Sequence, residues 1–295
     1  MPKPVTPSIT VLDISSFISE ITKYASSSHD LKCYRGQQDA SWPAVPSLMR
    51  PDLVGLERCE KRAIRDLMSV HPNEFNEDRT MFDRLVRMQH FGLPTRLMDV
   101  SVNPLIALYF ATEESSDHEA LDGCVVALSV PSEREKYYDS DSVACIANLA
   151  NMTADEKDAI IALRGSRELG TPSRDERTRV NEDPTIQRLH QFIKEEKPHF
   201  LPIINPIDLF KPYYVHPKMS NRRILAQSGG FIISGLTPPV PIKFAKRIET
   251  TLYVVPANKK QGIRESLKLL GINESTVYPE LDRAAKRIKN TYAYN

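Results

Sequence analysis

The chain lacks any apolar run approaching the ~20 residues a membrane-spanning helix needs, and its opening MPKPVTPSIT has no hydrophobic stretch of the kind a secretory signal carries. It is poor in cysteine. Cys33, Cys59, Cys124 and Cys145 are the four present and none forms a CxxC pair, which argues against a zinc knuckle and against a disulfide framework. They read as small buried hydrophobes, and a reducing cytoplasm is the expected home. Neither sign of charge is in excess: Lys and Arg number 39 against 38 Asp and Glu, a formal net charge of +1. A general polyanion binder is therefore not expected, and any nucleic acid must meet a local patch. Also missing are a GxxxxGK[ST] loop, a GxGxxG after a strand, a GxSxG elbow and an HExxH helix, which removes the motif support for ATP-driven and zinc-hydrolase chemistry. The seven histidines do not cluster, so no metal site is expected.

What is present is an ordinary globular composition of 295 residues, 41% hydrophobic and 26% charged, far from that of a disordered chain. It reads as a single domain over residues 1–295, with a polar, helical insertion at 132–197. Asp13 or Ser15 can cap a helix carrying Phe17, Ile18 and Ile21. In the following strand, LKCYRG, residues Leu31, Cys33 and Arg35 share one parity, so a guanidinium stands on the same face as two apolar side chains. Such an arginine needs its charge and donors met by protein acceptors or by an anionic ligand.

Amphipathic helices are expected over 55–71 and 76–91. Asn103-Pro104 opens a wholly apolar helix, LIALYFA, and GCVVALSV reads as a strand covered on both faces. Thr153 and Glu156 form a capping box. HFLPIIN, FIISG and IETTLYVVP read as later strands, and two helices are expected near 264–270 and 279–289.

The densest polar segment is RMQHFGLPTRLMDVSVNPLIALYFAT, where Gln89, His90, Thr95, Arg96, Asp99 and Asn103 crowd a corner between two apolar helices. Either these groups satisfy one another, with Arg96 paired to Asp99, or they bind a ligand. A second cluster, SNRRILAQSGGFIIS, holds Arg222, Arg223, Gln227, Gly229 and Gly230 and is weak by itself. Arg164, Arg167, Arg174, Arg177 and Arg179 gather in one segment that reads either as a solvated insertion of mixed charge or as a nucleic-acid patch.

Four blocks, YRGQQDASW, MQHFGLPTRLMDVSVNPLIALYFA, RRILAQSGGFI and LLGINESTVYPELDRAA, in this order, resemble the FRG-domain family, with Tyr34 where the family's name has Phe. The resemblance implies an α+β fold with a split, mainly antiparallel β core flanked by helices, similar to ADP-ribosyltransferases. It implies NAD as a substrate and a toxin or phage-defence effector that transfers ADP-ribose to a macromolecule. Arg35, Tyr109 and Gln227 are then the catalytic candidates, with Arg35 on NAD phosphate or ribose, Tyr109 near the nicotinamide and Gln227 at a position where such folds carry Glu or Gln. Arg35, Gln89, His90, Thr95, Arg96 and Asp99 are the cofactor-binding candidates. A carboxylate stabilises an oxocarbenium-like centre better than an amide does, so Asp99, if free of Arg96, or more distantly Glu249, is the candidate to supply it. The alternatives are a catalytically silent nucleotide- or partner-binding module of the same fold, and an NAD glycohydrolase. The partners implied are a protein or nucleic-acid acceptor and an antitoxin or phage component, with no membrane.

Overall fold

Residues Gly123–Val130 form a strand in which every residue is buried, as a strand covered on both faces requires. The structure, a computed structural model, describes residues 8–164, 173–219, 221–237, 246–279 and 292. Among them eight strands form one sheet: β1 (Ser8–Thr10), β2 (Leu31–Gln37), β3 (Leu97–Ser101), β4 (Gly123–Val130), β5 (Glu135–Tyr137), β6 (Tyr213–His216), β7 (Gly229–Ile233) and β8 (Glu249–Val255). Their order is β1-β8-β4-β2-β3-β7-β6-β5.

The expected α+β class is what the structure has, and the sheet is mixed. The inner pairings are antiparallel, but β1 runs parallel to β8 at one edge and β5 parallel to β6 at the other. Both edge strands are three residues long, too short for alternation to mark them in a sequence. The feature that positions the site is the seam between β2 and β3. β2 pairs with β4 along its whole length and β3 pairs with β7 along its whole length, yet β2 and β3 meet only at Tyr34 and Ser101.

The helices are α1 (Ile14–Ala25), α2 (Val54–Arg58), α3 (Glu60–Val70), α4 (Met81–His90), α5 (Pro104–Thr112), α6 (Asp141–Asn148), α7 (Ala154–Arg164), α8 (Arg174–Asn181), α9 (Pro184–Glu196), α10 (Arg222–Ala226), α11 (Lys260–Leu269) and α12 (Glu274–Val277). Asp13 caps α1 in a reciprocal box with Ser16, Asn103 caps α5, and the Thr153–Glu156 box opens α7. Helices α1, α5 and α11 bury Phe17, Leu108 and Leu267 against Tyr253 and Val125 of the sheet. Helices α4, α6 and α9 bury Leu85, Ile146 and Ile193 against Phe231 and Ile233 on the other side of the seam. By strand parity a third cluster, with Cys33, Val100, Val126 and Ile232, occupies the opposite face. Helix α5 lies so close to β2 that a Cβ at Gly36 would stand 1.9 Å from the Ala107 oxygen, so this glycine serves helix packing.

Two local expectations are corrected. Residues 97–101 are not part of a helix–turn–helix corner but an inner strand, β3, buried at every residue except the exposed Asp99. Residues 199–205 contain no strand, and the pairing partner of β7 is instead β6. The segment 132–197 supplies β5 to the sheet and Ile146, Leu149, Ile186 and Leu189 to the core. The helix expected at 279–289 lies outside the described residues except for Pro279, and so does Arg167.

One core residue makes stability depend on pH. His190 on α9 is 2% exposed, neither ring nitrogen has a hydrogen-bond partner, and the Phe200 ring lies 6.1 Å away. Burial, with Lys194 adding to it, lowers its pKa from the ordinary histidine value. The unfolded chain therefore takes up a proton that the folded chain refuses. Stability falls as pH drops below about 6.5, with a slope of at most ~1.4 kcal/mol per unit from this group. His190→Leu is expected to remove that share of the slope, read from urea midpoints at pH 7.5 and 5.5.

Candidate functional site

Where β2 and β3 part, the gap holds a cavity of about 240 Å³. Arg35 enters it from β2. Its Nη1 donates to the backbone oxygen of Asp99 at 2.9 Å, while its Nε is buried with no partner. Burial lowers the guanidinium pKa from its ordinary value, the Asp99 charge opposes that, and the like charge of Arg50 adds to it. A half-buried cation with a buried donor left unmet carries a desolvation cost that an anion completing its shell would offset.

Asp99 also lines this cavity. Its Oδ2 accepts from Gln89 Nε2 at 2.8 Å. The reading in which Arg96 pairs with Asp99 is overturned, because residues three apart along an extended chain face opposite ways. Arg96 Nε donates to Glu60 Oε1 at 2.9 Å, its Nη2 to Glu60 Oε2, and its Nη1 to the Ser234 oxygen at 3.1 Å. Lys157 Nζ donates to the same carboxylate at 2.5 Å. All three side chains are buried. Burial alone would raise the Glu60 pKa, and Arg96 and Lys157 together hold it below the ordinary value.

Gln227, at the end of α10, lines the cavity as well. Its backbone oxygen accepts from Ser101 Oγ at 2.6 Å, and its Nε2 donates to the Val277 oxygen at 3.2 Å. The amide thus holds the chain next to Tyr278, which forms one wall. Tyr109 does not line the cavity: it is 9% exposed, with its ring centroid 6.4 Å from that of Tyr278. Its neighbour Phe110 takes the wall position, 5.9 Å from Tyr278.

A smaller hollow of about 60 Å³ adjoins, sharing Asp99, Arg223 and Gln227 as walls and adding Gln89 and His90. Beyond His90 lies an open depression of about 440 Å³, in which Arg87 pairs with Asp78 at 2.7 Å and Lys218 with Asp83 at 2.8 Å. Thr95 is 1% exposed and lines none of the three. Glu249 begins β8 on an exposed edge, away from the cavity walls.

Of the residues singled out in the sequence, Arg35, Asp99 and Gln227 converge on one cavity, Gln89 and His90 border the adjoining hollow, and Tyr109, Thr95 and Arg96 stand behind the walls or elsewhere. Phe110 and Tyr278 are wall residues that sequence reasoning missed, and Arg223 is one it named in the second cluster without assigning it to the site. Arg223 lies four residues before Gln227, the spacing that puts two side chains on one helical face, and its guanidinium stands 5.3 Å from the Tyr278 ring. Gly230 belongs to packing, since a Cβ there would meet the Tyr214 hydroxyl at 2.5 Å. Burial pushes the Cys124 thiol up to about 11 and the Cys145 thiol to about 12, so neither is a poised nucleophile. Among the described residues no group of three or more His, Cys, Asp or Glu could hold a metal ion, and no helix is long and apolar enough to cross a membrane.

These features define an α+β domain with a polar cavity at the seam of a split, mixed sheet. The chain carries an FRG domain, whose family model matches residues 31–120, the stretch that includes Arg35, Gln89, His90, Asp99 and Phe110. No curated protein and no solved structure matches the chain. Arg223, Gln227 and Tyr278 complete the cavity from outside the matched stretch.

Proposed function

We propose that the chain binds NAD in the seam cavity and cleaves the bond between its nicotinamide and ribose, passing ADP-ribose to a protein or nucleic acid. The single observation that carries this reading is the half-buried Arg35 side chain, with a buried and unpartnered Nε, in a cavity that also offers a carboxylate and aromatic walls. Arg35, with Arg223 facing the same space, takes the pyrophosphate through charge-assisted bonds. Phe110 and Tyr278 offer ring surface to the nicotinamide. The bond from C1′ to the nicotinamide nitrogen breaks with its electron pair leaving on nicotinamide, and positive charge develops on the ribose. The Asp99 carboxylate stabilises that charge. The acceptor's nucleophile then bonds to C1′ and gives up its proton; with water as the acceptor the same site is an NAD glycohydrolase. Such an enzyme acts as a toxin or phage-defence effector, held in check by an antitoxin or triggered by a phage component.

One observation favours a second reading, a catalytically silent binding module. Gln227 brings no carboxylate, and its amide is already committed to Val277. The two readings separate when purified protein is incubated with NAD, with and without candidate protein and nucleic-acid acceptors. Release of nicotinamide that Arg35→Ala abolishes supports the enzyme. A folded protein that binds ADP-ribose but releases no nicotinamide under any condition sinks it in favour of the module.

A further inference from the structure

The polar groups behind the cavity form a chain with one direction. The Leu97 N–H donates to Thr95 Oγ1 at 3.1 Å, so the single hydroxyl proton of Thr95 is left to donate to Gln89 Oε1 at 2.6 Å. That fixes the amide: Oε1 faces Thr95, and Nε2 carries both remaining donors. One meets the Leu97 oxygen at 3.2 Å and the other Asp99 Oδ2 at 2.8 Å. A flipped amide would set its oxygen against a carbonyl and a carboxylate at once. Every link from the strand backbone to Asp99 therefore points the same way, and none can reverse without breaking two hydrogen bonds.

We propose that Thr95 and Gln89 are positioning residues that hold the Asp99 carboxylate, an acceptor, at the cavity wall, so that beside the Arg35 guanidinium the site takes a ligand offering a hydrogen-bond donor or positive charge a few atoms from its anionic group. A nucleotide ribose next to phosphate meets that description; a simple polyanion does not. The inference rests on the reading that the ligand occupies the seam cavity. Thr95 itself, buried and bordering none of the three cavities described, acts only through Gln89.

The test compares Thr95→Val, which keeps the shape of the side chain and removes its hydroxyl, with Thr95→Ser, which restores the hydroxyl. Three quantities are read: the side-chain amide resonances of Gln89 in the folded protein, ADP-ribose affinity, and kcat and KM for NAD. In the wild type the two Gln89 amide protons are expected to exchange slowly with water. Thr95→Val is expected to lose that protection and to lower kcat tenfold or more with KM within twofold, and Thr95→Ser to recover both to within threefold. An unchanged Gln89 amide signal in Thr95→Val, or a serine variant as poor as the valine one, overturns the proposal. If the wild type releases no nicotinamide, the enzymatic reading fails separately. The amide protection, lost in Thr95→Val and recovered in Thr95→Ser, then still decides the relay.

Discussion

Arg35→Ala is expected to weaken ADP-ribose binding by roughly ten- to a hundredfold, the ~1.5–3 kcal/mol carried by a charge-assisted bond to phosphate, while the urea midpoint stays level or rises. The two directions belong together. Among the described residues Arg35 makes one hydrogen bond, to the Asp99 backbone oxygen, and its Nε is buried without a partner, so the folded protein bears a desolvation cost that an anion relieves. Alanine removes that cost together with the anchor, the opposition of stability and function expected of a binding residue. An arginine that merely holds β2 to β3 would behave in the opposite way: the variant would lose stability, and ADP-ribose would not bind the wild type. Titration calorimetry and urea denaturation on the same two proteins distinguish these outcomes.

Much of this site was legible because parity is a strong constraint. Cys33 and Arg35 share a face of β2, and Cys33 is fully buried, so the guanidinium had to stand beside apolar packing wherever the strand lay. Capping chemistry was equally readable, and Asp13, Asn103 and the Thr153–Glu156 pair all act as caps. Helix α5 shows where legibility stops. LIALYFA is apolar on every side, so no stripe orients it, and neighbouring residues point roughly 100° apart. A resemblance could suggest an aromatic residue there but not that Phe110, rather than Tyr109, meets the cavity. Strand β3 was hidden for a different reason. Its five residues lie close behind Gly92 and Pro94 and just ahead of Asn103-Pro104, and those breakers suggest a turn. Arg223 and Tyr278 reach the cavity only because α10 and α12 come together in the tertiary structure, which no local pattern encodes.

The missed strand also misplaced Arg96, and the second large effect expected lies there. Glu60→Ala is expected to destabilise the protein by about 3–5 kcal/mol, because it leaves two buried cations, Arg96 and Lys157, with no carboxylate between them. The cluster joins α3, α7 and the start of β3, so its failure loosens the helical layer over one side of the seam. The effect on ligand binding at fixed folded concentration is expected to be small, since none of the three side chains lines the seam cavity or the two hollows beside it. The companion experiment separates specificity from stability. The triple variant Glu60→Met, Arg96→Met, Lys157→Met fills similar volume without charge and is expected to recover most of the loss, since a buried ion cluster returns little more than the cost of desolvating it. Urea unfolding of wild type, single and triple variants measures both claims. A triple variant as unstable as Glu60→Ala would mean that the cluster's hydrogen bonds, including that from Arg96 to Ser234, contribute net stability that apolar packing cannot replace.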